Sequence, residues 1–211
     1  MDFNPIQIFL HLDVYLQQLA QSYGTGIYAL LFAVIFCETG LVAFPFLPGD
    51  SLLFVGGTVA ALGNMDPYVL ALTLMAAAIL GDSTNYLIGR TVGEKLFNNP
   101  DSKIFRRDYL LRTHAFYDRH GGKTVTLARF VPIVRTFAPF VAGVGKMPYL
   151  RFLAFSVAGT LVWVGGLVAL GYFFGNIPFI KKNLSVMVIG IVFLSVAPVM
   201  ISALKARLSK A

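Results

Sequence analysis

Residues 36–57 read FCETGLVAFPFLPGDSLLFVGG. The runs on either side are apolar enough for helix: GIYALLFAVIFC leads up to Glu38, and SLLFVGGTVAALG leads away from Asp50. Between them stand Pro45, Pro48 and Gly49. Proline lacks the N–H that the helical ladder needs and its ring collides with the preceding turn, so no straight helix runs through this stretch. The pattern predicts a re-entrant hairpin over 26–63 that enters and leaves a membrane on one side. Non-helical backbone at membrane depth survives only where protein or a water-filled cavity shields it.

Composition favours lipid as the solvent. The chain of 211 residues is 57% hydrophobic and 13% charged, with a mean hydropathy of +0.74; soluble domains are nearer about 45–50% and about 25%. That much apolar surface in so short a chain exceeds what one water-soluble core can bury, and the length suits a single integral membrane domain over 1–211. The formal net charge is +7. Its basic residues lie mostly between apolar runs and near the C-terminus, which fits the positive-inside rule and gives no reason to expect nucleic acid as a partner. Cys37 is the only cysteine, which excludes an intramolecular disulfide and a thiolate metal cluster. No Lys or Arg precedes the first apolar stretch and no small-residue cleavage pattern follows it, so a removable signal peptide is not expected.

Working outward, residues 67–90 (PYVLALTLMAAAILGDSTNYLIGR) read as one span, opened by Pro67 and rich in small residues that allow close helix packing. The polar middle follows, with an amphipathic cytoplasmic segment over 101–120. Residues 123–147 (KTVTLARFVPIVRTFAPFVAGVGKM) form a second broken run, interrupted by Pro132, Pro139, Gly143 and Gly145 and carrying Arg129 and Arg135. It predicts a second re-entrant hairpin. Residues 148–175 and 183–204 read as two further spans. At the other end, residues 5–22 are interrupted by His11, Asp13, Gln17, Gln18 and Gln21, which suits a helix lying in the interface better than a clean span. Eight of the seventeen Lys and Arg fall between Arg90 and Lys123, and Lys205, Arg207 and Lys210 close the chain. That asymmetry puts the middle segment and the C-terminus in the cytoplasm, with Lys181 and Lys182 discordant.

The two halves read alike. Phe46-Leu47-Pro48 precedes Phe54-Val55-Gly56-Gly57, as Phe130-Val131-Pro132 precedes Phe140-Val141-Ala142-Gly143. Asp66-Pro67-Tyr68 opens one span and Met147-Pro148-Tyr149 the other; Gly89 and Gly93 close the first, Gly171 and Gly175 the second. Under the charge-derived topology these units start on opposite sides, making them inverted repeats. The fold class is therefore all-α: a polytopic membrane protein of two inverted repeats, each a broken-helix hairpin followed by a transmembrane helix, plus a C-terminal span. Paired interrupted segments of this kind point to a transport site near the bilayer midplane. The glycine pairs serve packing within one chain or between copies, so a homo-oligomer stays open.

The charged residues carry the chemistry. Glu38 and Asp50 lie in the first hairpin and Arg129 and Arg135 in the second. Four charges at the bilayer centre would cost roughly 10 kcal/mol uncompensated on insertion scales, so they must meet each other, water or a polar ligand. Repeat order suggests Glu38 with Arg129 and Asp50 with Arg135. Arginine stays protonated when buried and its planar fork suits phosphate, whereas a carboxylate in a low dielectric exchanges protons. The quartet therefore fits a proton-coupled site for an anionic head group, with Glu38 and Asp50 as proton carriers and Arg129 and Arg135 as phosphate ligands. The bland alternatives are salt bridges that merely hold two hairpins together, and, for Asp50, a cap on the helix that starts at Leu52. Asp82, Asn85 and Tyr86 share one helical face and read as supporting interhelical hydrogen bonders. Trp163 reads as packing. His114 and His120 flank Asp118 too loosely for a metal site, and no catalytic residue, metal or cofactor is expected, because GxSxG, HExxH and P-loop patterns are absent.

Four segments resemble the DedA family of bacterial inner-membrane proteins (the VTT, SNARE-associated domain type): FCETGLVAFPFLPGDSLLFVGG (36–57), GDSTNYLIGRTVGEKLF (81–97), SKIFRRDYL (102–110) and HGGKTVTLARFVPIVRTFAPFVAGVGKM (120–147). The resemblance implies two re-entrant hairpins in inverted orientation, a multi-pass location in the bacterial inner membrane, and a link to the proton motive force, envelope integrity and cell division. It implies kinship with lipid scramblases of the endoplasmic reticulum and a role in moving undecaprenyl phosphate or phosphatidylethanolamine between leaflets. The family's functional acidic pair matches Glu38 and Asp50, and its functional arginines match Arg129 and Arg135. The function expected is a lipid flippase using the proton gradient, with phosphate-bearing membrane lipids and protons as its partners. Two alternatives are a proton/cation exchanger for pH and osmotic balance, and a non-transporting scaffold for envelope or division enzymes.

Overall fold

The computed structural model describes residues 12–41, 49–97, 122–130, 132–175 and 177–178. Its regular structure there is entirely helical: α1 (Leu12–Tyr23), α2 (Gly26–Gly40), α3 (Gly49–Ala61), α4 (Pro67–Phe97), α5 (Lys123–Ala128), α6 (Pro132–Val144) and α7 (Tyr149–Phe174). Residues 5–11 of the interfacial segment, the 42–48 break with Pro45 and Pro48, the 101–120 amphipathic segment with its histidines, and the 183–204 span lie outside the described residues.

Local chemistry sets the helix ends. Asp66 caps α4: its Oδ1 accepts the N–H groups of Tyr68 at 2.8 Å and Val69 at 2.9 Å, satisfying donors that a helix start leaves unpaired. Pro67, next in line, occupies the first helical position, where its missing N–H costs nothing. Gly24 (φ 52°) and Gly63 (φ 83°) take left-handed backbone just past α1 and α3, with Gly63 N–H donating to the Ala60 carbonyl at 3.0 Å. Past α6 the left-handed position is held by Lys146 (φ 51°). The Met147 N–H reaches the Ala142 carbonyl at 3.1 Å and the Lys146 N–H the Gly143 carbonyl at 3.0 Å, completing a Schellman stop. The second broken run leaves the helix after Ala128, with Arg129 and Phe130 in a turn; Pro132 opens α6, and Pro139 lies inside α6 without ending it. One proline deletes one ladder donor, and a helix of 13 residues retains the others.

Two stretches are long and apolar enough to cross a bilayer, Pro67–Val92 and Tyr149–Phe174, each of 26 residues. At 1.5 Å per residue each covers about 39 Å, more than the roughly 30 Å hydrocarbon core. Only 33% of each apolar window is buried within the protein. Leu72, Leu150, Val162 and Phe173 are exposed at 67, 78, 62 and 71%. A core helix of a water-soluble protein would be covered on all sides; these leave apolar faces for a solvent that is itself apolar.

The chain forms two compact units. One takes its described residues from Met1–Leu31, Pro48–Leu74 and Val164–Ala211. There α1 packs on α3, and Ser51 through Ala60 of α3 are all buried, as expected of a helix that is apolar all round. The other unit takes them from Phe32–Leu47 and Met75–Trp163. Its core gathers Tyr86, Val125, Ala142, Met147 and Phe152, with the Tyr86 and Phe152 rings stacked at 4.6 Å.

Each unit has a glycine crossing. In the first, a Cβ on Gly57 would strike the Val168 carbonyl and the Tyr172 nitrogen, and a Cβ on Gly171 would strike the Phe54 carbonyl. In the second, a Cβ on Gly143 would strike the Tyr86 carbonyl and the Arg90 nitrogen, and a Cβ on Gly89 the Phe140 carbonyl. Backbone meets backbone in both, which only glycine permits. Gly57→Ala and Gly143→Ala should each lose about 1–3 kcal/mol by overpacking. Gly166→Ala, where a Cβ meets nothing within 4 Å, should be neutral or slightly stabilising. Unfolding of the purified variants in mixed detergent micelles measures all three.

Candidate functional site

The second unit gathers four charged side chains, of which Glu38, Asp82 and Arg129 are buried and Arg135 is partly buried. Glu38 is in the last turn of α2, Asp82 in the middle of α4, Arg129 in the turn that closes α5 and Arg135 in the first turn of α6. A helix C-terminus carries partial negative charge and an N-terminus partial positive charge. Glu38 and Arg135 therefore each oppose the dipole of their own helix, and each needs a partner from elsewhere.

They find it in each other. Arg135 Nη2 donates to Glu38 Oε1 at 2.5 Å, with side-chain exposures of 10% and 0%. Arg129 Nη2 forms the second pair with Asp82 Oδ2, and both side chains are buried. Ser156 of α7 joins that pair: its hydroxyl donates to Asp82 Oδ2 at 2.6 Å and accepts from Arg129 Nη2 at 3.3 Å. Gly159, one turn on, keeps room for the Arg129 side chain, since a Cβ there would sit 3.3 Å from Nε. Both guanidiniums lie over the ring of Trp163, Arg129 at 5.5 Å and Arg135 at 5.0 Å from its centroid. An aromatic face attracts each cation by about 0.5–2 kcal/mol, more when desolvated. One buried indole thus holds both cations as neighbours.

Asn85, one turn beyond Asp82, ties the broken helices together. Its Nδ2 donates to the Thr39 carbonyl of α2 at 3.1 Å and the Thr136 carbonyl of α6 at 2.7 Å. The Thr39 carbonyl belongs to the end of a helix, where the ladder supplies no donor. Tyr86 donates its hydroxyl to the Met147 carbonyl and accepts from Arg90 Nη1 at 3.0 Å, fixing the turn after α6 to α4.

These contacts place the residues singled out from sequence. Glu38, Arg129 and Arg135 converge with Asp82, but the pairing differs from repeat order. Glu38 meets Arg135, not Arg129, and Arg129 meets Asp82. The helix break between the two arginines is the physical reason: Arg129 ends one short helix and Arg135 starts another, so they reach different neighbours. Asp82, read as a hydrogen bonder, carries a buried ion pair. Asp50 belongs to the first unit, half-buried in the first turn of α3, where an acid complements the helix dipole. Ser156 and Trp163 were missed. They had a signal: Ser156, Thr160 and Trp163 recur at i, i+4 and i+7, a polar-tipped stripe on an otherwise apolar span.

Comparison with known proteins shows the family of the chain. The VTT domain family matches residues 47–173. Protein DedA of Escherichia coli (strain K12) is 54% identical over 202 residues, covering 95% of this chain and 92% of that protein. An uncharacterised membrane protein of Mycobacterium leprae, ML0287, is 46% identical over 170 residues, with 81% and 76% covered. The inner membrane protein YghB of Escherichia coli (strain K12) is 36% identical over 157 residues, with 74% and 72% covered. No solved structure matches the chain.

A double-mutant cycle tests the Glu38–Arg135 pair. Arg135→Gln alone should lose about 3–5 kcal/mol, because it withdraws the cation beside a buried carboxylate. Glu38→Gln in the same chain should recover part of that loss, with a coupling of about 1–3 kcal/mol. Additive losses in detergent unfolding would mean that the two groups do not interact.

Proposed function

Because this chain belongs to the VTT-domain family of membrane proteins, the family of DedA, we propose that it carries a lipid with a phosphate head group between leaflets, driven by the proton gradient. The cargo class is a polyprenyl phosphate, undecaprenyl phosphate being the family's example, or a phospholipid such as phosphatidylethanolamine. The observation that carries this reading is the pair of guanidiniums, Arg129 buried and Arg135 partly buried, each set on a carboxylate and both over the ring of Trp163. Arginine keeps its charge at any physiological pH and offers a planar fork to phosphate oxygens, so Arg129 and Arg135 serve as ligands for the head group. Glu38 and Asp50 take up and release protons, and protonation of Glu38 frees Arg135 for phosphate until the proton leaves again. The lipid tails stay in the bilayer while the head group crosses. No bond in the cargo is made or broken.

The matching glycine crossings support an inverted repeat behind this site. Gly57 against Val168 and Tyr172 uses the same atoms as Gly143 against Tyr86 and Arg90, and Gly171 against Phe54 the same as Gly89 against Phe140. Each short helix packs on the long helix of the opposite half. Two such halves in opposite orientation give a pathway two alternative openings, which is how repeat-built transporters achieve alternating access. The reading places the chain in the bacterial inner membrane as a multi-pass protein with its C-terminus in the cytoplasm.

Two measurements decide it. Reconstituted protein should move a labelled lipid phosphate across liposomes faster when a proton gradient is imposed. Arg135→Ala should slow this roughly 10–100-fold, the worth of one charge-assisted hydrogen bond, and Arg135→Lys should fall well below wild type because the fork is lost. Equal rates for wild type and Arg135→Ala would remove the basis of the proposal. A purely architectural ion pair makes the opposite forecast: Glu38→Arg combined with Arg135→Glu would restore function in cells. A transport site should stay inactive after that exchange.

A further inference from the structure

The arginines assigned above to phosphate are already matched by carboxylates. Glu38 balances Arg135 and Asp82 balances Arg129, so the quartet sums to zero inside a covered site. A phosphate monoester carries about −1.5 to −2 charge at neutral pH. If it joined this quartet unchanged, the site would hold that full charge away from water, which a low dielectric penalises heavily. Each arginine given to the phosphate must therefore release a carboxylate that has become neutral.

We propose that Asp82 is a further proton carrier, paired with Arg129 as Glu38 is with Arg135. Facing Asp82 are Arg129 from the turn after α5 and Ser156 from α7. Arg135 of α6, held on Glu38, shares the Trp163 ring with Arg129 and is the neighbouring charge. Ser156 suits a group that changes its protonation. Its hydroxyl now donates to Asp82 Oδ2 at 2.6 Å, and a hydroxyl can accept as well as donate. When the carboxylate is protonated, the new O–H donates to Ser156 Oγ and the acid keeps its partner. Arg129 then turns its N–H groups to phosphate oxygens. One O–H bond forms, one ion pair is exchanged for another, and the proton comes from the aqueous phase that delivers the lipid. Two carboxylates in two such exchanges match a divalent phosphate.

The inference rests on the phosphate reading of Arg129 and Arg135, and one titration separates the two. Full-length protein in detergent micelles is titrated with dihexanoyl phosphatidic acid at pH 8, in buffers of different ionisation enthalpy, which counts protons taken up on binding. Wild type should take up about two protons per lipid, and Asp82→Asn and Glu38→Gln about one each. Asp82→Glu, which retains a titrating carboxyl, should restore about two. Should Asp82→Asn fail to fold, Asp82→Asn with Arg129→Gln removes both charges together and should again show about one, with weaker binding. Undiminished uptake in the Asp82→Asn protein, or in the double variant, overturns this proposal and leaves the phosphate reading intact. Binding by Arg135→Ala as tight as wild type, or no binding by wild type, overturns both.

Discussion

The structure depends on a single electrostatic constraint: a charge removed from water must be neutralised where it lies. In this chain the constraint acts on Glu38, Asp82, Arg129 and Arg135, all held within one compact unit. Continuous helices could cross a bilayer without any of them, and apolar side chains of similar size would often pack as well or better. The broken backbone and the buried charges go together. Each interruption ends a helix, each helix end exposes carbonyls or N–H groups to be satisfied, and Asn85 meets the Thr39 carbonyl at the end of α2 while its other N–H reaches the Thr136 carbonyl inside α6.

The glycine crossings answer a different demand. Lipid tails are as apolar as leucine, so helices in a membrane gain little from burying apolar surface against one another and rely on close packing instead. Gly57 and Gly171 in one unit, and Gly143 and Gly89 in the other, remove side chains where backbone must touch backbone. The Gly143 crossing fixes α6 on α4 and so sets Arg135 at a defined height along the helix that carries Asp82. Packing and electrostatics are thereby coupled: a helix displaced at the glycine would carry its cation away from its carboxylate.

Much of this was legible in the residues. Pro132 marked the start of α6, although Pro139 and Gly143, also read as breaks, lie inside it; apolar length marked the spans at 67–90 and 148–175, and charges inside apolar runs marked Glu38, Arg129 and Arg135. The matching order of Phe, Pro and Gly in the two halves anticipated two crossings that use the same backbone atoms. The partners were not legible. Sequence order orients a repeat but does not say how far a turn carries a side chain, and the turn at Arg129 decides its pairing. Asp82 looked like a hydrogen bonder because its neighbours on the helix face, Asn85 and Tyr86, are hydrogen bonders. Trp163 looked like packing because its cations arrive from helices remote in sequence. Only its two-turn spacing from Ser156 hinted at a shared face.

The placement of charge within the helices is not the one that stability alone selects. Selection for stability favours acids at helix N-termini and bases at C-termini, each worth about 0.3–1 kcal/mol. Asp50, in the first turn of α3, follows that rule. Glu38 at the end of α2 and Arg135 at the start of α6 both break it. Exchanging the two would preserve the ion pair and relieve both dipoles, so stability alone would favour the reverse arrangement. What the present arrangement gains is a guanidinium at a helix start, where backbone N–H groups also point outward and an anion is welcome. Under the proposed reading, Arg135 would add its charge there to donors that suit phosphate, with Glu38 holding the place until the ligand arrives.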